Sequence, residues 1–312
     1  MLFARRRVTL RRVFSKEMPM IPSKKRSNGW FNVFVLPALI IFSIVVLVPF
    51  VIGIGYSFVS WDGLVMHKPQ FVGMTNYAKL FHDARFGQSA IHTIQFTVVA
   101  VLAINVLGLL LALMVTSSLK INAVARTMFF MPNLIGGLIL GYIWRFILSD
   151  AFKAIGERTG MTSIFFNWLL DPHAALVSLV VVITWQMAGY VMIIYITGIQ
   201  SVPDEVMEAA VIDGATGWKR FFRIELPLIM PSVTICTFYS LSNCFKIYDI
   251  NLSLTGGGPG VSTEMFAMNI YNEIFSYNNY GYGQAKAIMF FLLVAAVSLT
   301  QVVLTKRKEV QL

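Results

Sequence analysis

The chain has 312 residues, of which 57% are hydrophobic and 13% are charged, and its formal net charge is +10. A soluble globular domain has about 45–50% apolar and about 25% charged residues, so this composition excludes an ordinary soluble domain. The positive charge does not indicate a nucleic-acid-binding protein, because the basic residues concentrate in the first 26 positions and at the end of the chain, beside apolar segments.

The chain begins with a basic tail, at residues 1–30, followed by a long apolar run. This run exceeds the core of a signal peptide, which has about 7–15 apolar residues. No cleavage motif of small residues follows it, so the run predicts a retained first span. We expect residues 31–312 to form one transmembrane domain, because no low-complexity linker divides them.

Six apolar segments are long enough to cross a membrane as helices, which takes about 20 residues. They are residues 32–58, 90–116, 123–148, 175–200, 221–247 and 282–305. Backbone amides in hydrocarbon must be paired internally, so each segment predicts a helix that prolines such as Pro132 and Pro227 kink but do not end. The predicted fold class is an all-α polytopic membrane protein.

An even number of spans places both chain termini on one side of the membrane. Most Lys and Arg residues outside the spans lie on that side, which predicts that the termini and the loop at 201–220 are cytoplasmic. The loops at 59–89, 149–174 and 248–281 then face outside. The predicted location is a cell membrane, crossed several times.

The cytoplasmic loop between the fourth and fifth segments predicts a short helix that does not span the membrane. Ser201 can cap its start, Pro203 is tolerated in a first turn, and Asp204 and Glu205 complement the positive end of the helix dipole. Gly214 is a helix-stop signal.

This predicted helix, at about 203–214, needs a surface to lie on, because Met207, Ala210 and Val211 share one face of it. The bilayer is one candidate. Interfacial helices usually carry basic polar faces, however, whereas this helix is acidic, so a protein partner fits better.

The loop also carries a spaced motif. Three residues separate Glu208-Ala209-Ala210 from Gly214, and nine residues separate Gly214 from the sequence Ile-Glu-Leu-Pro at 224–227. Both spacings and all named positions resemble the EAA loop of ATP-binding-cassette importer permeases. The resemblance extends over nearly all of the membrane domain.

Two outer-loop sequences resemble the carbohydrate branch of these permeases. One is Phe-Val-Gly at 71–73 with Asn-Tyr at 76–77, and the other is Leu-Thr-Gly-Gly-Gly-Pro-Gly at 254–260. The maltose and multiple-sugar type is the most similar branch.

The resemblance implies a type I importer fold in the inner (cytoplasmic) membrane of a bacterial cell. The implied function is that of a permease subunit of an ATP-driven, binding-protein-dependent importer for carbohydrate, such as a di- or oligosaccharide. A separate ATPase docked on the loop would drive alternating access. This chain is therefore expected to be a transport subunit and not an enzyme, and to hold no cofactor, because the ATPase would bind ATP and Mg. The implied partners are a second permease, forming a heterodimer, an ATPase dimer and an extracytoplasmic solute-binding protein, and nucleic acid is not among them. The implied coupling residues are Glu205, Glu208, Ala209, Ala210, Asp213, Gly214, Ile224, Leu226 and Pro227.

Polar residues inside the fourth and fifth segments are candidates for the substrate path, because polar groups within spans usually face the bundle interior. They are Gln186, Tyr190, Tyr239, Ser240, Asn243 and Lys246. Together they supply the hydrogen-bonding groups and aromatic rings that a sugar needs. The alternative interpretation is that the neutral ones join helices to each other and that the lysine reaches the interface.

The glycine run in the last outer loop does not have the Lys-Ser/Thr ending of a phosphate-binding loop. The resemblance instead assigns Gly256, Gly257, Gly258 and Pro259 to contact with the solute-binding protein. The four histidines are scattered and the two cysteines lie in one apolar segment, so no metal site is predicted.

Two functions outside this family stay open. A secondary transporter would need charged midplane residues for ion coupling, which the segments almost lack. An intramembrane enzyme has no support from an HExxH motif or an Asp pair within the segments, whereas a serine-based site stays open. Within the family, an anionic solute would need cationic groups in its path, for which Lys246 is the obvious candidate.

Overall fold

The protein is almost entirely helical over the residues that its computed structural model describes, which are 28–64, 66–116, 122–307 and 309. Most of the predicted tail at 1–30 lies outside these residues. The chain separates into two compact units, the first ending at Gly53 and the second beginning at Ile54. Four described helices could cross a membrane, or up to six if two bent helix pairs each form one span. The predicted all-α membrane fold is confirmed.

The first unit is an apolar helical run interrupted by one wider turn. Helix α1 is Asn28–Phe42, a π-helical turn covers Ser43–Leu47, and α2 is Val48–Tyr56. Pro49 accounts for the turn, because a proline ring clashes with the carbonyl four residues earlier in a regular α-helix. Widening the helix ahead of Pro49 relieves that clash without ending the span.

The second unit contains the remaining helices and one small hairpin. Its α-helices are α3 (Thr75–Phe81), α4 (Ala84–Thr116), α5 (Asn122–Phe130), α6 (Gly137–Phe146), α7 (Phe152–Thr159), α8 (Pro172–Gln200), α9 (Asp204–Ile212), α10 (Gly217–Arg220), α11 (Leu226–Leu228), α12 (Met230–Phe245), α13 (Phe266–Tyr271) and α14 (Tyr280–Lys306). Turns of 3-10 helix cover Met131–Leu134 and Trp168–Leu170, and π-helical turns cover Ile147–Ala151, Phe221–Glu225, Asn251–Thr255 and Asn272–Ser276. Strands β1 (Val59–Ser60) and β2 (Gln70–Phe71) pair antiparallel.

Helices α4 and α8 form the centre of the bundle. Phe96, Ala100 and Ile104 of α4 and Val191 of α8 are fully buried. In a bilayer, apolar burial alone does not favour helix pairs, so close packing must hold them together. Gly189 provides such packing between α8 and α5, since a Cβ there would overlap the carbonyl oxygen of Phe129.

The third predicted span is broken, which corrects the expectation of one kinked helix. Residues Ala123–Leu134 and Gly137–Thr159 meet at an angle of 97°. Pro132 lies in a tight 3-10 turn, and Ile135 and Gly136 then adopt extended backbone. An extended backbone within a membrane needs partners for its polar groups or an aqueous cavity to line.

The fifth predicted span is also broken, at Ile229. Residues Gly217–Leu228 and Met230–Phe245 meet at 73°. Pro227 and Pro231 lie on either side of the break, and neither can donate the hydrogen bond that continues a helix. The predicted segment at 221–247 therefore consists of a short helical segment followed by a membrane helix.

A buried charge cluster joins α14 to the preceding loop. The side chain of Lys286 is 1% exposed, and its Nζ lies 2.8 Å from Oδ2 of Asp83 and 2.7 Å from Oε2 of Glu273. It also donates to Oδ1 of Asn269 at 3.0 Å, and Tyr282 donates to Asp83 at 2.7 Å. Burial acts to raise the pKa of Asp83, but the hydrogen bonds, led by that from Lys286, lower it to about 2.

A second ion pair lies beside this cluster. Arg85 contacts both carboxylate oxygens of Glu264, at 2.7 and 2.8 Å, and Glu264 is 2% exposed. Asn272 donates to the same carboxylate at 3.0 Å. Together the two ion-pair groups fix the segment at 264–276 against the first turn of α4 and the start of α14.

Candidate functional site

The predicted coupling helix at about 203–214 is α9, Asp204–Ile212. Pro203 has extended backbone and precedes it, and Asp204 and Glu205 lie in its first turn, where they complement the helix dipole. Ser201 does not cap α9 as expected. Its hydroxyl donates to the carbonyl of Gly198 at 2.7 Å, so Ser201 closes the end of α8 instead.

A Schellman turn ends α9 at Gly214. The N–H of Ala215 donates to the carbonyl of Ala210 at 2.9 Å, and the N–H of Gly214 donates to that of Val211 at 3.0 Å. Gly214 has a φ of +74°, a left-handed conformation that is strained for residues with a Cβ. The glycine of the motif is therefore required by the turn itself.

The packed face of α9 differs partly from the predicted one. Ala210 is buried, and Val206 and Met207 are half-buried. Val211, predicted on this face, is 51% exposed, and Ile212 is 85% exposed. The helix is therefore held by a narrow apolar stripe and leaves most of its surface open.

The predicted coupling residues divide between the buried stripe of α9, to which Ala210 belongs, the open surface of that helix and the segment after the turn. Those exposed on or just after α9 are Glu205, Glu208, Ala209, Asp213 and Gly214. Glu208 borders a shallow groove of about 460 Å³ together with Ile212 and Arg220. An exposed carboxylate beside aliphatic side chains can bind a protein surface that offers a cation and an apolar contact.

The other predicted coupling residues, Ile224, Leu226 and Pro227, are half-buried in the bent segment at 217–228. The carboxylate of Glu225, between them, pairs with Arg220 across 3.3 Å. The backbone carbonyl of Glu225 accepts a hydrogen bond from the N–H of Ile229 at 3.0 Å. These residues therefore connect α9 mechanically to α12.

A polar cavity of about 350 Å³ lies between the break in the third span and the end of α12. Its wall includes four of the predicted path residues, which are Gln186, Tyr239, Asn243 and Lys246. Gln186 also donates to the carbonyl of Ile135 at 3.0 Å, which satisfies one of the backbone groups freed at the first break. Both interpretations of Gln186, cavity wall and helix support, thus apply to the same side chain.

Tyr190, also predicted in the substrate path, lies behind the cavity wall and packs against Tyr239, which is part of that wall. The rings of Tyr190 and Tyr239 are 4.5 Å apart between centroids and tilted by 32°. Asn243 donates to the carbonyl of Tyr239 at 2.8 Å, which leaves its amide oxygen free to accept a hydrogen bond. Rings and amides together suit a ligand that has both apolar faces and hydroxyl groups.

Ser240 does not line the cavity, contrary to the expectation. It is fully buried, its hydroxyl donates to the carbonyl of Cys236 at 2.8 Å, and it accepts from Asn105 at 3.3 Å. Asn105 in turn accepts from the hydroxyl of Tyr195 at 2.8 Å. Ser240 therefore joins α12 to α4 and α8.

Sequence reasoning missed Asn133 and Asp249, which complete the cavity wall beside Lys246. Asn133 lies in the 3-10 turn of the broken third span, and Asp249 lies just beyond the end of α12. Both positions follow a local end of helix. A search for polar residues at helical spacing within continuous spans could not find them.

The predicted binding-protein contact forms a compact turn. Gly256 is exposed, Gly258 and Pro259 are half-buried and joined by a cis peptide bond, and Gly257 is buried against Met268. Three of the four residues therefore reach the surface at least partly. Among the described residues, no group of three or more His, Cys, Asp or Glu side chains could hold a metal ion.

Comparison with known proteins places this architecture in a family. Residues 104–310 match the family described as "Binding-protein-dependent transport system inner membrane component". The chain is 46% identical, over 91% of its length and 97% of the relative, to the probable starch degradation products transport system permease protein AmyD of Thermoanaerobacterium thermosulfurigenes. It is 31% identical, over 92% of its length and 99% of the relative, to the multiple sugar-binding transport system permease protein MsmF of Streptococcus mutans.

Solved structures agree in fold. A chain from the crystal structure of a bacterial ABC transporter involved in the import of the acidic polysaccharide alginate matches with a TM-score of 0.75 and 20% identity, covering 89% of this chain and 96% of that chain. A chain of the MetNI methionine ABC transporter matches with a TM-score of 0.54. Together with the family match over two thirds of its length, these findings mean that the chain belongs to the inner-membrane components of binding-protein-dependent transport systems.

Proposed function

We propose that this chain is a permease subunit of an ATP-driven importer for a di- or oligosaccharide, and that a separate ATPase drives it through α9. The observation that carries the proposal is the exposed acidic face of α9, held at a defined angle by the Schellman turn at Gly214. The chain is a transport subunit and no enzyme, as its curated relatives are permease proteins. ATP and Mg belong to the ATPase.

The connection from α9 to the cavity supports coupled movement. The bent segment at 217–228 follows the turn, and Ile229, which is 1% exposed, joins this segment to α12. Helix α12 then contributes Tyr239 and Asn243 to the cavity wall. A displacement of α9 by the ATPase would therefore reach the cavity through two rigid helical segments and one buried bend.

A carbohydrate substrate fits the groups that line the cavity. Its wall has amides, the ring of Tyr239, which packs against Tyr190, and two side chains of opposite charge, Lys246 and Asp249, so its formal charge is balanced. Relatives are named for starch degradation products, multiple sugars and trehalose or maltose. A neutral sugar with several hydroxyl groups therefore suits the site better than an anionic solute does.

The same proposal includes the partners and the orientation. One α9 serves one ATPase subunit, so a second, different permease would supply the other docking helix for an ATPase dimer. Both termini and α9 would face the cytoplasm, in line with the basic residues on that side. The turn containing Gly256, Gly258 and Pro259 would face an extracytoplasmic solute-binding protein, as a solved relative of this fold includes a periplasmic protein carrying an alginate pentasaccharide.

A charge reversal on α9 tests the proposal. Glu208→Lys, in the assembled transporter, should lower sugar uptake by at least about tenfold, because loss of one charged partner at a protein interface costs about 2–5 kcal/mol. The ATPase should co-purify in reduced amount while the chain stays inserted in the membrane. Glu157→Lys is the matched control, since Glu157 is equally exposed but lies on α7. Normal uptake in the Glu208 variant would refute ATPase docking at α9.

A further inference from the structure

Charges separate sharply across the turn at Gly214. Residues 204–213 contain four acidic side chains and no basic one. The bent segment at 217–228 has the opposite character, with Lys219, Arg220 and Arg223 against a single acid, Glu225, which is already paired with Arg220. Lys219 and Arg223 have no ion-pair or hydrogen-bond partner among the described side chains. The two halves of the loop therefore suit surfaces of opposite charge.

The unpaired cations share one exposed face with two aromatic rings. Trp218 is 73% exposed and Phe222 is 57% exposed, and their rings stack at 5.7 Å with an angle of 19° between their planes. Lys219 and Arg223 are exposed beside them, also four residues apart. The opposite face of the segment, with Ile224 as its aliphatic member, is half-buried against the protein.

The direction of the segment keeps this face near the membrane surface. The segment meets α12 at 73°, so it runs across the direction of the membrane helix instead of continuing it. Exposed Trp and Phe rings favour the boundary between headgroups and acyl chains, and Lys and Arg favour the adjacent anionic headgroups. A helix that lies in the interface with these groups on one face matches the pattern of a lipid-binding surface.

We propose that the face formed by Trp218, Lys219, Phe222 and Arg223 is a binding site for anionic phospholipid. The two rings enter the headgroup boundary, and the two cations pair with the lipid phosphate groups. An ATPase surface suits this face poorly, because a surface that binds the acidic α9 must itself be cationic and would repel Lys219 and Arg223. The site anchors the segment between α9 and α12 to the bilayer, and it does not depend on which solute is transported.

Tryptophan quenching by brominated lipids tests the proposal in the intact transporter. The assembled complex is placed in nanodiscs of neutral phosphatidylcholine that contain about 10% of either brominated phosphatidylglycerol or brominated phosphatidylcholine. The chain has six tryptophans, so the signal of Trp218 is taken as the difference between the parent and Trp218→Phe. Each cation near an anionic surface enriches anionic lipid by about fivefold before salt screening.

The proposal predicts quenching of the Trp218 signal by both brominated lipids, with a severalfold preference for phosphatidylglycerol at low salt. The double variant Lys219→Gln with Arg223→Gln should lose that preference, and the matched control Lys306→Gln with Arg307→Gln, at the end of α14, should keep it. Equal quenching by both lipids in the parent would overturn the anionic site. A Trp218 signal that neither lipid quenches, but that binding of the ATPase shields from aqueous acrylamide, would assign the face to the ATPase and also overturn the proposal.

Discussion

The buried ammonium of Lys286 offers the most decisive stability test in this structure. Lys286→Met keeps a long side chain but removes the charge that lies 2.8 Å from Asp83 and 2.7 Å from Glu273. Two carboxylates that are mostly shielded from solvent would then face each other without a cation. Removing one partner of a buried ion pair typically costs about 3–5 kcal/mol, because the remaining charge stays buried and unpaired.

This cost should appear as a lower thermal unfolding midpoint of the purified transporter in detergent, by a shift on the order of 10 °C. Lys79→Met is the matched control. Lys79 is exposed and lies 4.3 Å from the centre of the Tyr282 ring, so its loss should cost about 1 kcal/mol or less. Adding Asp83→Asn and Glu273→Gln to Lys286→Met should recover at least half of the loss, because the triple variant buries no unpaired charge. The reasoning is refuted if Lys286→Met unfolds within 1 °C of the parent, or if the triple variant is no more stable than the single one.

Three further predictions concern the turn, the pH response and the cavity. Gly214→Ala should lower coupled uptake about fivefold or more, as a φ of +74° costs a Cβ-bearing residue about 1–2 kcal/mol, whereas Gly160→Ala, with the same strain just after α7 at φ +73°, should leave coupling intact. Because folding lowers the pKa of Asp83 to about 2, the ionised carboxylate adds about 2 kcal/mol to the free energy of unfolding above pH 4, and this contribution is lost as the pH falls towards 2. Unfolding measurements across this pH range should show the loss in the parent but not in Asp83→Asn. Tyr190→Ala with Asn243→Ala should lower sugar uptake without releasing the ATPase in co-purification, and unchanged transport kinetics would remove both residues from the substrate path.

The sequence predicted the features that depend on composition and local spacing. Four spans follow from apolar length alone, and the helix from Asp204 to Ile212 follows from its acidic start and its glycine stop. Gly214 could be identified because the left-handed turn accepts few other residues. These features are local, so neighbouring helices do not alter them.

The two broken spans could not be predicted in the same way. Pro132 and Pro227 indicate weakened helices. Whether a proline bends a membrane helix slightly or interrupts it depends on which other groups form hydrogen bonds with the freed backbone carbonyls and amides. At the first break, the side chain of Gln186 donates to the carbonyl of Ile135, which lies 51 residues earlier in the chain. Of the missed cavity residues, Asn133 lies at the first break, and Asp249 lies just beyond the end of α12 at Phe245, so both follow a local end of helix.

The position of Ser240 bears on how the chain would move. Its hydrogen bonds, together with that from Tyr195 to Asn105, connect α12, α4 and α8 at mid-bundle, and the Lys286 cluster fixes α14 at one end of the same bundle. Helix α12 therefore cannot slide alone past α4 when α9 is displaced, because Ser240 and Asn105 would lose their hydrogen bond inside the membrane. Movement of the whole bundle as one body costs none of these bonds.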